Sequence, residues 1–205
     1  MQFLCIDPAW SGGTPPDEVV ARFDGVRFVA RPDLWDAVSS YLDADKKVML
    51  VITSQSGPVE QYADWASADW FADRVYWTIG NEPDGEGEAS WIMSPDEYAE
   101  LWARARCLHG QRFIAGMCSG QPDIAVQYVQ PDADGLCVHL YGLSPEAAQT
   151  KISAYANATG LPVWVGEWHE ADGFSPEDYD FGEVWANYFC YSDAMHAGMG
   201  LRAVA

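Results

Sequence analysis

Two glutamates stand where carboxylates are costly. Trp77-Thr78-Ile79-Gly80-Asn81-Glu82-Pro83 and Pro162-Val163-Trp164-Val165-Gly166-Glu167-Trp168-His169 are apolar, β-branched and aromatic runs, and each meets a glutamate at its end. A carboxylate at the end of a buried strand costs stability unless it is used or paired. Two of them, far apart in sequence, suggest a pair that meets over one substrate. Acid/base and nucleophilic work on a glycosidic bond requires such a pair. Taken singly, each glutamate reads equally well as a loop-capping or surface carboxylate. Two further polar elements close apolar runs, His139-Leu140-Tyr141 and Arg31. Alone, His139 reads as a satisfied core histidine and Arg31 as the partner of a surface carboxylate such as Asp33.

The elements that must carry these groups alternate along the chain. Eight short β-rich runs read as strands: Phe3–Ile6, Val26–Ala30, Val48–Thr53, Val75–Ile79, Phe113–Met117, Gly135–Leu140, Pro162–Gly166 and Leu201–Val204. Their continuous apolar character fits parallel strands buried on both faces. Helix signals lie between them. Ser94-Pro95-Asp96-Glu97 and Ser175-Pro176-Glu177-Asp178 are capping boxes with proline at the first helical position, the second predicting a helix that runs to near Gly198. Ser144-Pro145-Glu146 opens another helix, closed at Gly160. A stripe of Leu34, Trp35, Val38, Tyr41 and Leu42 follows Pro32. Pro58–Phe71, Pro16–Phe23 and Asp123–Val129 read as further helices. Strict alternation predicts an α/β fold, and eight units in 205 residues predict one domain over 1–205, a minimal (β/α)8 barrel. With the eighth strand at Leu201–Val204, no last helix follows. The bare flank is then expected to be covered by a homodimer contact or by the loop Asp7–Pro16.

Catalytic groups of such a barrel sit at the C-terminal ends of its strands. Glu82 and Glu167 fall there, on strands four and seven. Alternation puts Glu82, Gly80 and Thr78 on one face, and Glu167, Val165 and Val163 on one face. Trp77, Ile79 and Trp164 then point toward the helices. Pro83 is expected to hold Glu82 in an extended conformation.

On these residues the chain resembles the retaining glycoside hydrolases of the large (β/α)8 superfamily, with catalytic glutamates on strands four and seven. Asn81-Glu82-Pro83 matches its acid/base signature, Glu167 its nucleophile and His139-Leu140-Tyr141 its His-x-Tyr element, while Arg31 stands where several of its families carry an arginine. The resemblance implies double displacement. Glu167 would attack the anomeric carbon, and Glu82 would protonate the leaving oxygen and then activate water. Repulsion and partial burial would raise the pKa of Glu82, and Arg31 and Tyr141 would keep Glu167 charged. Asn81 would bond the sugar 2-hydroxyl and His139 would line the subsite. No cofactor or metal is implied. The superfamily usually carries a tryptophan at the end of strand eight, and Leu201-Arg202-Ala203-Val204 has none.

Ten tryptophans are many for this length. Trp10, Trp91 and Trp168 fall in loops near the strand ends and are candidate stacking platforms for sugar rings. Trp35, Trp65, Trp70, Trp102 and Trp185 fall on helix stripes and read as core. A net charge of -20 repels nucleic acid and anionic lipid and suits a neutral ligand such as an oligo- or polysaccharide. No segment approaches a membrane span. The five cysteines lack C-x-x-C spacing and read as reduced core residues, and the N-terminus lacks a signal-peptide pattern. A cytoplasmic or phage-associated protein is the expectation. Two other readings stay open. A non-catalytic carbohydrate-binding barrel would keep the fold without turnover. A metal hydrolase would draw ligands from His139, Glu167, His169 and Glu170, although Gly173 breaks the H-E-x-x-H pattern.

Overall fold

The computed structural model describes residues 2–6, 20–21, 23–65, 73–86, 90–170, 173 and 187–191. Strands β1 (Gln2–Ile6), β2 (Gly25–Val29), β3 (Lys47–Ile52), β4 (Val75–Asn81), β5 (Gln111–Met117), β6 (Gly135–Leu143), β7 (Val163–Glu170) and β8 (Asn187–Tyr191) build one sheet. Its order is β7-β6-β5-β4-β3-β2-β1-β8, and every pairing is parallel. Helices α1 (Trp35–Asp43), α2 (Pro95–Ala105), α3 (Pro122–Tyr128) and α4 (Pro145–Thr159) connect successive strands. The predicted capping box is realised at α2, where Ser94 Oγ accepts from Glu97 N–H while the Glu97 side chain accepts from Ser94 N–H. Gly160 ends α4 in the left-handed region at φ 69°, where glycine carries no Cβ penalty.

The sheet curls strongly. Arg27 on β2 and Glu167 on β7 lie five strands apart, about 24 Å in a flat sheet at the usual strand spacing. Their side chains nevertheless meet at 3.4 Å. The concave face carries its own apolar cluster of Met49, Tyr76, Phe113 and Trp164, with Trp164 4.7 Å from Phe113 and 5.4 Å from Tyr76 between ring centroids. The convex face packs Val26, Phe28, Leu50, Trp77, Ile79, Ile114, Leu136, Val163 and Val165 beneath the helices.

Four sequence expectations change. The strand beside β1 is Asn187–Tyr191, in register from Gln2↔Asn187 to Ile6↔Tyr191, inside the segment read as a helix from Ser175. The aromatic, β-prone run Tyr188-Phe189-Cys190-Tyr191 outweighs the helix signal at Ser175 there. Leu201–Val204 lies outside the described residues, and so does the flank expected beside it. Trp164 faces the concave side, while Val163 and Val165 face the helices. Gly80 has φ 90°, and a Cβ there would point outward, 3.2 Å from Tyr98 and from Ala115. Pro58–Phe71 holds a 3-10 turn at Val59–Tyr62, because the buried Tyr62 hydroxyl is drawn to the carbonyls of Ser56 (2.5 Å) and Ala30 (3.1 Å). Residues 66–72 of that stretch, the loop Asp7–Pro16 and Trp10, Trp70 and Trp185 lie outside the described residues.

At Gly80 the ladder between β4 and β5 skips a pair, running from Ile79↔Ile114 to Asn81↔Gly116. Tyr98 of α2 fills the gap. Its buried hydroxyl donates to Ile79 O (2.7 Å) and accepts from Ala115 N–H (2.9 Å). Tyr98→Phe strips a partner from two buried backbone groups. The expected loss is about 2 kcal/mol of unfolding free energy, read from urea denaturation with an unchanged m-value.

Candidate active site

The strand ends converge on His139. Its imidazole is fully buried, with 0% of the side chain exposed, in a slot made by absent side chains. A Cβ at Gly116 of β5 would lie 2.0 Å from His139 Nε2, and one at Gly166 of β7 would lie 3.2 Å from it. Both glycines stand at register shifts. β5 gains a residue against β6 between Ile114 and Met117, and β7 gains one between Val165 and Glu167, opposite Val138 and His139. A bulge re-aims the residue beside it. Plain alternation from Val165, which faces the helices, would put Glu167 on the helix side, and the bulge at Gly166 turns it to the concave face.

Around His139 the polar groups interlock. Nδ1 is 2.7 Å from Glu82 Oε1, and Nε2 is 3.8 Å from Glu167 Oε1, a charge contact without a hydrogen bond. The Tyr141 hydroxyl lies 2.5 Å from Glu167 Oε2, 3.3 Å from Glu82 Oε1 and 3.2 Å from His139 Nδ1. Arg27, 5% exposed, donates Nη2 to Glu167 Oε1 from below. Ser90 Oγ donates to Glu82 Oε2 at 2.8 Å. Glu82 itself stands at φ 47°, not in the extended conformation expected before Pro83. Two bonds fix it there: its N–H donates to Gly116 O and its carbonyl accepts from Gly85 N–H, each at 3.0 Å. Backbone held in that region by its surroundings is characteristic of working sites.

Proton affinities follow from the contacts. The hydrogen bond from His139, aided by its charge and by Ser90, outweighs partial burial and holds Glu82 below its ordinary range. The sequence predicted the reverse, because it counted the repulsion of Glu167 and not the buried cation. Burial alone would depress His139. The charge of Glu167 and the hydrogen bond to Glu82 override it and push the imidazole up to about 10. Burial and the Glu167 charge also raise the Tyr141 phenol, which stays a neutral donor.

The structure therefore brings Glu82, Glu167, His139 and Tyr141 together, with half-buried Asn81 next to Glu82. It does not bring Arg31, whose guanidinium pairs with Asp33 at 2.6 Å on the surface. The arginine of the site is Arg27, which the sequence reading missed. Its signal was there, since a charged residue in the middle of a buried β-rich run demands a buried partner. Trp91 and Trp168 are half-buried against the helix-side core, and Trp168 registers with Leu140 on that side. Glu82, His139 and Glu167 have donor atoms within 4.8 Å of one another, close enough to share a cation. Arg27 and the raised imidazole already balance the two carboxylates, so the group needs no metal for neutrality. The side chains of His169 and Glu170 lie outside the described part of the structure.

Residues 61–189, well over half of the chain, match the family described as glycosyl hydrolase catalytic core. The chain belongs to this family. It is a glycoside hydrolase, and its curled parallel α/β sheet resembles that of solved glycosidases. A GH5 cellulase from an Icelandic hot spring isolate superposes with a TM-score of 0.62 at 14% identity, covering 95% of this chain and 76% of the cellulase. A GH128 endo-β-1,3-glucanase from Amycolatopsis mediterranei, solved with laminaripentaose, gives 0.54 at 15% identity, covering 94% and 89%. The GH26 domain of an endo-β-mannanase/endo-β-glucanase from Prevotella bryantii gives 0.53 at 12% identity, covering 94% and 84%. No curated protein matches the chain by sequence.

The His139–Glu82 pair makes the stability of this glycosyl hydrolase pH-dependent. A histidine raised to about 10 stabilises fully below its ordinary 6.5 and loses that contribution as the pH climbs toward 10. A lowered glutamate stabilises above its ordinary 4.5 and loses that contribution as the pH falls. The pair therefore holds best between 4.5 and 6.5. In urea unfolding, the stability gap between wild type and His139→Gln is expected to be widest near pH 6 and to shrink steadily toward pH 10. A gap that widens with pH contradicts this assignment.

Proposed function

We propose that the protein cleaves O-glycosidic bonds of an oligo- or polysaccharide by retaining double displacement, with Glu167 as nucleophile and Glu82 as acid/base. The observation that carries this is spacing. Oxygens of Glu82 and Glu167 lie within 4.8 Å. That supports the separation of about 5–5.5 Å used by retaining enzymes over the about 6.5–9.5 Å that leaves room for a water in inverting ones. The named neighbours act on β-linked glucans and mannans, which supports a β-linked substrate. Their barrels also support a single domain in which the curled sheet closes, β7 against β8, as (β/α)8.

The roles follow from surroundings. Arg27 and Tyr141 both bond Glu167, so it enters the first step ionised and aimed. It forms a bond to the anomeric carbon while the bond to the leaving oxygen breaks. Glu82 gives its proton to that oxygen. In the second step Glu82 takes a proton from water, the water oxygen bonds the anomeric carbon, and Glu167 leaves as carboxylate. Asn81, at the end of β4, bonds the 2-hydroxyl of the sugar. Because Glu82 is held low in the free protein, the acid form is populated at acid pH. The expected kcat/KM falls as the pH rises out of the acid range.

A panel of aryl glycosides tests the proposal. Glu82→Ala and Glu167→Ala should each lose at least 100-fold in turnover. Azide should rescue Glu167→Ala to a glycosyl azide of inverted configuration, by one displacement. It should rescue Glu82→Ala to the retained anomer, by intercepting the glycosyl-enzyme. Unchanged activity in Glu167→Ala refutes the mechanism. Arg27→Met should cost about 10- to 100-fold, while Arg31→Ala, an exposed pair with Asp33, should change kcat/KM less than twofold. Equal effects of the two arginine variants would contradict the assignment of Arg27.

A further inference from the structure

Glu82 has a third partner, Ser90, on a segment built to present it. Trp91 N–H donates to Asn81 O at 2.7 Å and Met93 N–H to Pro83 O at 3.3 Å, so residues 91–93 run hydrogen-bonded alongside 81–83. The Tyr128 hydroxyl pins the far end through Met93 O at 2.7 Å. On the other side, Asp84 ties the turn after Glu82 to the end of β5, accepting from Cys118 N–H at 3.1 Å and Ser119 N–H at 3.0 Å. Gly85 leaves the space between, since a Cβ there would stand 2.4 Å from Ser90 Oγ and 2.9 Å from Cys118 Sγ. The hydroxyl is thus delivered onto Glu82 Oε2 from a fixed backbone, through a gap that any larger residue would fill.

We propose that Ser90 is a positioning residue that sets the proton affinity of Glu82 and with it the pH at which the acid step runs. The inference rests on the acid/base role of Glu82. The two oxygens of Glu82 face different chemistry. Oε1 faces the protonated His139 at 2.7 Å, which can only donate, so a proton added there would meet the imidazole N–H. The Tyr141 hydroxyl is a longer contact at 3.3 Å and is turned to Glu167. Oε2 faces a hydroxyl, which can donate or accept. The proton Glu82 must gain therefore goes to Oε2. While Glu82 is ionised, Ser90 donates to Oε2 and favours the charge. Once Oε2 is protonated, the hydroxyl turns to accept, until the proton passes to the leaving oxygen as the glycosidic bond breaks. Removing the hydroxyl takes a donor from the carboxylate and an acceptor from the acid, and the charged form, whose bond is the stronger, loses more.

The experiment compares Ser90→Ala, Ser90→Thr and Gly85→Ala with wild type, in pH profiles of aryl glycoside hydrolysis and in 13C NMR titration of glutamate carboxyls. Glu82→Gln assigns the Glu82 signal. In Ser90→Ala the alkaline limb of kcat/KM and the Glu82 titration should both move up by about half to one pH unit, the size of one charge-assisted hydrogen bond partly replaced by water. Ser90→Thr should return both toward wild type. Gly85→Ala, which keeps the hydroxyl and crowds it off, should shift them upward as Ser90→Ala does. A carboxyl titration unmoved in Ser90→Ala overturns the inference, whatever happens to kcat. So does a shift that Ser90→Thr fails to reverse. If wild type turns over no glycoside while the carboxyl still titrates higher in Ser90→Ala, the proposed function fails and the control of Glu82 by Ser90 stands.

Discussion

A charged imidazole that water does not reach holds the open end of this sheet together. His139 has no exposed side-chain surface, and a lone buried cation of that kind would surrender its proton. It keeps the proton because Glu82 bonds one nitrogen and Glu167 lies near the other. Each carboxylate in turn is tolerable near the interior because of the cation between them. Arg27 completes the balance from below, so two negative and two positive groups share one polar island. Breaking such a set by removing one member leaves an uncompensated charge, which costs far more than the set contributes as a whole.

The backbone is bent to make room for this island. Gly116 and Gly166 leave the slot for the ring, and the two bulges beside them shift the pattern of side chains by one, so that Glu167 faces inward. Gly80 twists the end of β4, and Tyr98 repairs the ladder bonds that the twist costs. Glu82 sits in a left-handed conformation that its neighbours impose. These departures from regular geometry gather at the strand ends around Glu82, His139 and Glu167. The lower half of the sheet, by contrast, keeps plain alternation between the helix-side core and the aromatic cluster on the concave face.

That division explains what the sequence could reveal. The strands from Val26 to Gly166 and most helix starts were legible, because regular elements are written in local periodicity and capping. Glu82, Glu167, His139 and Tyr141 were legible because they end apolar runs. The aim of each side chain was not, since it depends on bulges that glycine only hints at. Pro83 argued for extended backbone and lost to the hydrogen bonds between Glu82, Gly116 and Gly85. Arg31 drew attention by standing at a strand end, while Arg27 reaches the site from mid-strand along its own length, across a curl no local pattern encodes. The strand at Asn187–Tyr191 is written in an aromatic run that a helix signal as distant as Ser175 does not reach.

The aromatic cluster on the concave face has a consequence for where a ligand can be held. Met49, Tyr76, Phe113 and Trp164 cover that face of β3, β4, β5 and β7 with packed apolar surface, while the hydrogen-bonding groups gather at the strand ends around His139. The face thus divides its labour along the strands: one stretch is spent on cohesion, and the other is left to chemistry. Under the proposed function a sugar would find its polar partners only at the second, so choice among sugars would fall to the loops that follow the strands.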